Sequence, residues 1–407
     1  MGKFARKAVH LGDVADIITG FPFDGNAYST KGIRVIRGEN VTIGNLRWDI
    51  CKCWDSFSPV LEKYLLRAGD IVIGMDGSRV GKNRARIESI DLPLLLAQRV
   101  ACIRHNEKSD QGYIYYSIFS DMFEKYVQAI HTGTSIPHIS ASQLANYTLL
   151  MPDSLLEQRK IGAFLSSLDD KIELNTRINQ NLEAQAQAIF KSWFVDFEPF
   201  RDGKFVGSEL GPIPEGWRVV SLEDIALYNN EKLPASQAML DTYISTENML
   251  PNRGGIELAS SVPSTGCVTV FAKNDVLLSN IRPYFRKIWY ASLSGTCSTD
   301  VLCFRARAKA KVESEYLFCV LNSERFFEYI MSGAKGTKMP RGDKRQMMSY
   351  RIVMPHQDIL ENFSRTLMPL IDHQRRNTLE SLRLAALRDA LLPKLMSGEI
   401  DVSDVEV

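Results

Sequence analysis

The sequence predicts an α+β protein. Two tandem-duplicated globular domains are joined by two long antiparallel helices that form a coiled-coil spacer, pseudo-twofold overall. Three observations carry this prediction. Six short phrases recur in the same order about 200 residues apart. Within each copy, short β-type runs alternate with Gly, Asn and Asp punctuation. After each copy comes a long segment with apolar residues at helical spacing.

The repeat is read directly. Leu11-Gly12-Asp13-Val14-Ala15 returns as Leu222-Glu223-Asp224-Ile225-Ala226, and Ile36-Arg37-Gly38-Glu39-Asn40 as Ile244-Ser245-Thr246-Glu247-Asn248. Gly69-Asp70-Ile71-Val72 returns as Asn274-Asp275-Val276-Leu277, and Val100-Ala101-Cys102-Ile103-Arg104 as Val301-Leu302-Cys303-Phe304-Arg305. Gly133-Thr134-Ser135-Ile136-Pro137 returns as Gly336-Thr337-Lys338-Met339-Pro340, and Met151-Pro152 as Met354-Pro355. The offsets run 211, 208, 205, 201, 203 and 203, the drift expected when loops change length while elements persist. The period is too long for a solenoid repeat.

In the first copy, strands are expected at Ile33–Ile36, Asp70–Ile73, Val100–Ile103 and Tyr147–Met151, with one helix from about Gln111 to Ile130. The second copy reads the same way, with a helix near Glu313 to Met331. A long helix follows from about Ser154 to Trp193. Ile161, Leu165, Leu168, Ile172, Asn175, Asn179, Leu182, Ala186, Ile189 and Trp193 recur at alternating spacings of four and three. Phe363, Leu367, Leu370, Gln374, Asn377, Ser381, Leu384, Arg388, Leu391 and Leu395 keep that spacing near the C-terminus. A 3.5-residue seam is the mark of a coiled-coil stripe, and polar seam positions can set register. At about 1.5 Å per residue each rod would span roughly 50–60 Å. The alternative is a pair of amphipathic helices, each packed on its own globular domain. The domains therefore fall at 1–152, 153–200, 201–355 and 356–407.

The 407 residues carry a formal charge of only +1. Divided by segment, the net charges are +3 for 1–150, −3 for 151–200, +4 for 201–355 and −3 for 356–407. Mildly basic globular parts alternate with acidic helical ones, so placement matters more than the sum. The seven cysteines include no CxxC and read as reduced thiols of a cytosolic protein. No secretory leader and no apolar run of membrane length is seen, so a cytoplasmic location is expected.

No active site is legible. Gly77-Ser78-Arg79-Val80-Gly81-Lys82-Asn83 is one residue short of a phosphate-binding loop and lacks the Mg²⁺-binding hydroxyl. Neither HExxH nor Gly-x-Ser-x-Gly occurs. Pro152-Asp153 followed by Glu157-Gln158-Arg159 reads as a helix start, with its acids favourably placed against the dipole. No metal site is expected; His131 and His138 alone do not make one.

Basic and amide side chains instead gather in connections beside the strands. In the first copy these are Arg34, Arg37 and Asn40; Ser78, Arg79, Lys82, Asn83, Arg84 and the nearby Arg86; Gln98 and Arg99; and Thr134, Ser135 and His138. In the second they are Thr246 and Asn248; Ser279, Asn280, Arg282, Arg286 and Lys287; Ser298 and Thr299 with Asp300; and Lys335, Lys338 and Arg341, with Lys344 and Arg345 beyond. Arg and Lys match guanine edges and phosphates, and Asn and Gln match adenine. Their recurrence at corresponding places points to a nucleic-acid interface. Arg79 and Arg282 are the foremost candidates.

Longer motifs then carry a family resemblance. Glu157-Gln158-Arg159-Lys160-Ile161, Phe164-Leu165-Ser166-Ser167-Leu168-Asp169-Asp170-Lys171-Ile172-Glu173-Leu174-Asn175 and Ala188-Ile189-Phe190-Lys191-Ser192-Trp193-Phe194-Val195-Asp196-Phe197 resemble the central region of type I restriction-modification specificity subunits. Gly211-Pro212-Ile213-Pro214-Glu215-Gly216-Trp217 resembles the entry to the second target-recognition domain. Leu387-Arg388-Asp389-Ala390-Leu391-Leu392-Pro393-Lys394-Leu395-Met396-Ser397-Gly398-Glu399-Ile400 resembles the end of the distal helical region.

The resemblance makes the nucleic acid double-stranded DNA and implies two target-recognition domains that read the halves of a bipartite, asymmetric DNA target. It implies helical spacers that set the half-site spacing and dock two methyltransferase subunits. Restriction and translocase subunits would join them. The chain itself would be non-catalytic and bind no cofactor, with S-adenosylmethionine, ATP and Mg on the partner subunits. The competing classes are a self-contained DNA methyltransferase or nuclease with an unrecognised site, and a coiled-coil scaffold without a DNA role.

Overall fold

The computed structural model describes residues 6–130, 137–336 and 338–402. By internal contacts the chain divides into two compact units. Unit 1 is Met1–Asp170 with Leu384–Val407, and unit 2 is Lys171–Arg383.

In unit 1, Lys7–His10 pairs antiparallel with Thr148–Met151, tying the start of the globular part to its end. A four-stranded antiparallel sheet runs in the order Ala15–Thr19, Val100–His105, Ile71–Gly74, Arg84–Arg86. Ile71–Gly74 is buried throughout, as its unbroken apolar run requires. A three-stranded sheet sets Ile33–Ile36 between Cys53–Trp54, antiparallel, and Leu94–Leu96, parallel.

Unit 2 repeats the plan. Arg218–Ser221 pairs with Arg351–Met354. The four-stranded sheet runs Ala226–Tyr228, Val301–Ala306, Val276–Ser279, Ile288–Tyr290. A second sheet runs Lys232–Pro234, Cys267–Phe271, Gly295–Cys297, Tyr243–Ile244. Unit 2 also has the hairpin Phe205–Ser208 with Gly211–Pro214.

The duplication extends to single bonds. Arg104 forks onto the buried carboxylate of Asp70, Nε to Oδ1 at 2.8 Å and Nη2 to Oδ2 at 2.6 Å. Arg305 does the same to Asp275, at 2.8 and 2.6 Å. Tyr113 donates its hydroxyl to the Leu150 carbonyl, and Tyr316 to that of Val353.

Each copy was expected to hold one helix at 111–130 and 313–331. Each holds two: Gln111–Ile118 and Asp121–Ile130, then Ser314–Leu321 and Glu324–Ser332. A serine makes each break. Ser120 Oγ accepts from Phe123 N at 3.4 Å, and Ser323 Oγ from Phe326 N at 3.3 Å, capping the second helix of each pair. The strong helical periodicity on either side hid this two-residue interruption.

The long helices are Leu155–Phe194 and Gln357–Ser397. Pro369, on the exposed side of the second, removes one donor from the ladder without ending the helix. They pair antiparallel. In unit 1, Arg388 Nη1 meets Asp169 Oδ1 at 2.6 Å. In unit 2, Asn175 Nδ2 reaches Glu380 Oε2 at 2.8 Å, and Asn377 Nδ2 reaches Asn179 Oδ1 at 3.0 Å.

Ile161, Leu165, Phe363 and Leu367 are fully buried, and Leu168 and Leu182 nearly so. Ile172, Ile189, Leu370, Leu384 and Leu391 are half-buried. The helix ends also serve the globular cores. Ile161, Leu165 and Leu395 join the core of unit 1 with Tyr113 and Phe123. Phe190, Phe194, Phe363 and Leu367 join that of unit 2 with Tyr316. Pairing in the middle and packing at the ends, posed as alternatives from sequence, therefore coexist.

Candidate nucleic-acid interface

In each unit the connection after the central strand of the four-stranded sheet meets two other connections. In unit 1, Gly77 N donates to Pro137 O at 3.0 Å, and Met75 N to Arg99 O at 2.9 Å. Asp76 bonds the His138 ring and lies 3.4 Å from Arg99. This brings Ser78, Arg79, Lys82, Asn83, Arg99 and His138 together, with Gln98 exposed beside Arg99. Thr134 and Ser135 lie outside the described residues.

In unit 2, Arg282 N donates to Pro340 O at 2.7 Å, and Asn280 N to Asp300 O at 2.9 Å. Arg341 pairs with Asp300 at 3.0 Å, and Lys335 with Asp343 at 3.0 Å. Ser298 and Thr299 share the Asp300 connection, and Lys338, Lys344 and Arg345 stand exposed nearby in sequence. Arg286 pairs with Glu324 at 2.9 Å.

Each cluster is thus built of strand-to-strand loops on a rigid sheet, with exposed cations partly held in place by acids. The near phosphate-binding motif at Gly77–Lys82 joins two strands of a hairpin. It therefore lacks the helix N-terminus that phosphate cradles use.

Several sequence candidates have structural work instead. Asn40 is buried: its Oδ1 accepts from Arg37 N at 3.0 Å and its Nδ2 donates to Arg47 O at 3.0 Å. Asn248 is its counterpart, accepting from Ser245 N at 2.6 Å and donating to Glu257 O at 2.9 Å. Both pin loops from within, which corrects their reading as base contacts. The amide signal was real, but it belongs to a repeated internal cap.

Arg84 is likewise corrected. It is 7% exposed, donates to Gly81 O at 2.6 Å and stacks on Phe119 and Phe123 at 5.0 and 5.6 Å. Burial lowers its pKa. Ser279 is buried and donates to Ile281 O, and Asn280 is buried at the loop base. Lys287 gives its ammonium to the Thr246 backbone carbonyl at 2.6 Å, which engages the lysine and leaves the half-buried Thr246 side chain out of that bond.

Arg34 stacks on Trp48 at 4.7 Å and bonds Asp91 O, while Arg37 pairs with Glu39 over Tyr28. Arg34 lies in the three-stranded sheet and Arg37 directly follows its strand, and among the described residues their bonds stay away from the Gly77–Lys82 loop. Among the described residues, no group of three or more His, Cys, Asp or Glu could hold a metal ion, and no helix is long and apolar enough to cross a membrane.

Sequence reading missed Asp76, which ties His138 and Arg99 together. It also missed the relay from Glu183 through Asn322 to Arg253. Asn322 Nδ2 donates to Glu183 Oε1 and its Oδ1 accepts from Arg253 Nε at 2.8 Å. Nothing in the sequence marks residues so far apart as partners.

Two copies of one loop-bearing unit of helices and sheets, each with its own stretch of paired long helices, define a duplicated recognition protein. A family model described as the type I restriction modification DNA specificity domain matches residues 6–184 and 214–381. The chain belongs to that family, and it is a specificity subunit that provides DNA target recognition in type I restriction-modification.

It is 27% identical over 311 residues to the type I restriction enzyme MjaIX specificity subunit of Methanocaldococcus jannaschii, covering 72% of this chain and 70% of that one. It is 23% identical over 475 residues to the HindI specificity subunit of Haemophilus influenzae, covering 97% and 99%. A crystal structure of the type I S subunit from M. genitalium has the same fold, with a TM-score of 0.58, 13% identity and coverage of 97% and 96%.

Proposed function

We propose that this chain is the non-catalytic sequence-reading adaptor of a type I restriction-modification complex. Each globular domain reads one half of a bipartite, asymmetric DNA target. The paired helices dock two methyltransferase subunits and set the gap between half-sites. Restriction and translocase subunits complete the assembly. S-adenosylmethionine, ATP and Mg belong to those partners, and the complex works on DNA in the cytoplasm.

One observation carries the reading: the two units hold different side chains on the same loop frame. Gly77 and Arg282 make the same backbone bond, to Pro137 O and Pro340 O. Equal frames with unequal side chains suit two related domains that read different sequences. Base contacts specify and phosphate contacts position. With a net charge of +1, the isolated chain should bind DNA weakly and gain phosphate grip from its partners.

The test is to map methylated bases in a host that carries this chain with its partner methyltransferase. A split, non-palindromic motif is expected, and absence of such a motif refutes the reading. Methyl transfer or cleavage by the purified chain alone would refute the non-catalytic assignment.

A further inference from the structure

The loop after the central strand is held by the same four backbone bonds in both units. Gly74 N donates to Asn83 O at 2.9 Å, as Ser279 N does to Lys287 O at 3.0 Å. Met75 N to Arg99 O matches Asn280 N to Asp300 O, both at 2.9 Å. Gly77 N to Pro137 O at 3.0 Å matches Arg282 N to Pro340 O at 2.7 Å. Val80 N to Gly77 O at 3.1 Å matches Phe285 N to Arg282 O at 2.9 Å. These bonds align residue 77 with 282 and 80 with 285. Arg79 therefore corresponds to Tyr284, and the counterpart of Arg282 is a glycine. Pairing the two loops by their arginines misplaces the second one.

The two tips differ sharply. Arg79 is exposed. Tyr284 is 45% exposed and lies against Phe285, which is 38% exposed, with ring centroids 4.6 Å apart. Two adjacent aromatic residues on one turn thus each keep more than a third of their surface open to solvent.

The backbone beneath them is strained and braced. Arg282 and Arg286 have φ of 50° and 51°, and the neighbouring Asn252 and Arg253 have φ of 53° and 62°. Asn252 N bonds Phe285 O at 2.8 Å, and Arg253 N bonds Arg286 O at 3.0 Å. Left-handed conformations of side-chain-bearing residues are costly and persist where the surroundings over-determine them. In this loop they fix the direction in which the Tyr284–Phe285 pair projects. Arg341 bridges to Ile281 of this loop and to Lys335; both cations also pair with acids, Asp300 and Asp343, while Lys338 is exposed.

We infer that the tip residue of this loop is a specificity-determining side chain in each domain, Arg79 in the first and Tyr284 in the second. The inference rests on the chain being a DNA-sequence reader. Arg79 presents a planar fork of donors that suits the O6 and N7 acceptors of guanine. Tyr284 presents a ring, which suits the C5-methyl group of thymine in the major groove. The two half-sites are thereby told apart by one structurally equivalent position.

The test uses the complex of this full chain with its methyltransferase subunits, acting on a DNA library randomised around the wild-type motif. Arg79→Ala should relax one guanine position in one half-site by about tenfold, and Tyr284→Ala one thymine position in the other by about tenfold. Tyr284→Phe should keep the thymine, Tyr284→Arg should shift preference at that position to guanine, and Arg79→Lys should not restore Arg79 function.

Both motifs unchanged in assembled Arg79→Ala and Tyr284→Ala complexes would overturn the inference. Relaxation at a position that is not thymine would overturn the assignment of the tyrosine ring. Should Tyr284→Ala fail to assemble, Tyr284→Phe and Tyr284→Arg, which keep the bulk of the side chain, decide the same question. Failure of the wild-type complex to modify any split motif would instead strike the adaptor reading itself.

Discussion

Arg84 separates a structural cation from a DNA-binding one. It opens the strand that follows the most basic loop of the first copy, yet it is 7% exposed and faces inward. Replacing it with alanine removes a charge-assisted hydrogen bond to Gly81 O at 2.6 Å and two stacking contacts with Phe119 and Phe123. Such a hydrogen bond contributes about 1.5–3 kcal/mol. Each desolvated cation–π contact contributes about 0.5–2 kcal/mol. The desolvation that lowers its pKa offsets part of this gain.

The expected net loss is about 2–4 kcal/mol from unit 1, a large share of the roughly 5–15 kcal/mol that holds a domain together. Urea unfolding followed through a probe in unit 1 measures it. DNA affinity of the partner-bound complex against salt supplies the second readout. A phosphate contact would lower the salt slope by about 1 and hardly touch stability. A stability change below about 0.5 kcal/mol with a reduced salt slope would therefore refute the assignment of Arg84 to the core.

Other expectations follow from the same geometry. Asp70→Ala should destabilise unit 1 by about 3–5 kcal/mol, because it strands the largely buried Arg104, and Asp275→Ala should cost unit 2 less, because Arg305 is 36% exposed and can be rehydrated. Paired apolar replacement of both partners should recover most of that loss in the same unfolding assay. Asn175→Leu should tighten helix pairing while loosening its register, read as a rise in melting temperature with heterogeneous spacing between spin labels along the two helices.

Glu183 gives a pH signature. Burial raises its folded pKa, so the fold binds a proton more readily than the unfolded chain. Its contribution to stability should then fall as pH rises from the unfolded pKa through the folded one. Glu183→Gln should flatten that decline in unfolding curves taken across the acid range, and an unchanged slope would exonerate Glu183. Lengthening both helices by four residues adds about 6 Å, or roughly two base pairs. Methylation mapping should show the unspecified gap widened by about that much.

The sequence by itself determined the duplication, the seams and four strands of the first copy, but not Lys7–His10, Ala15–Thr19, Cys53–Trp54, Arg84–Arg86 or Leu94–Leu96. Each rests on periodicity or on repeated phrases, and these are properties of short stretches. The strand expected at Asp70–Ile73 is found at Ile71–Gly74, shifted by one residue because Asp70 turns its carboxylate to Arg104 and the Arg67 amide. Ile161 and Leu165 were legible as seam from their place in the alternating four- and three-residue spacing. The basic loops were legible as regions.

Only the tertiary structure decided what each loop residue does. Asn40 and Asn248 have the right chemistry for adenine, but their amides face inward onto carbonyls. Arg84 has the right charge for phosphate, but it lies on two phenyl rings. Arg79 and Arg282 looked equivalent by type, whereas the backbone bonds match Arg79 to Tyr284. The reason is that side-chain direction in a loop is set by hydrogen bonds to distant segments, such as Pro137 and Pro340. Residue type tells what a group can bond, and only the fold tells which partner it meets.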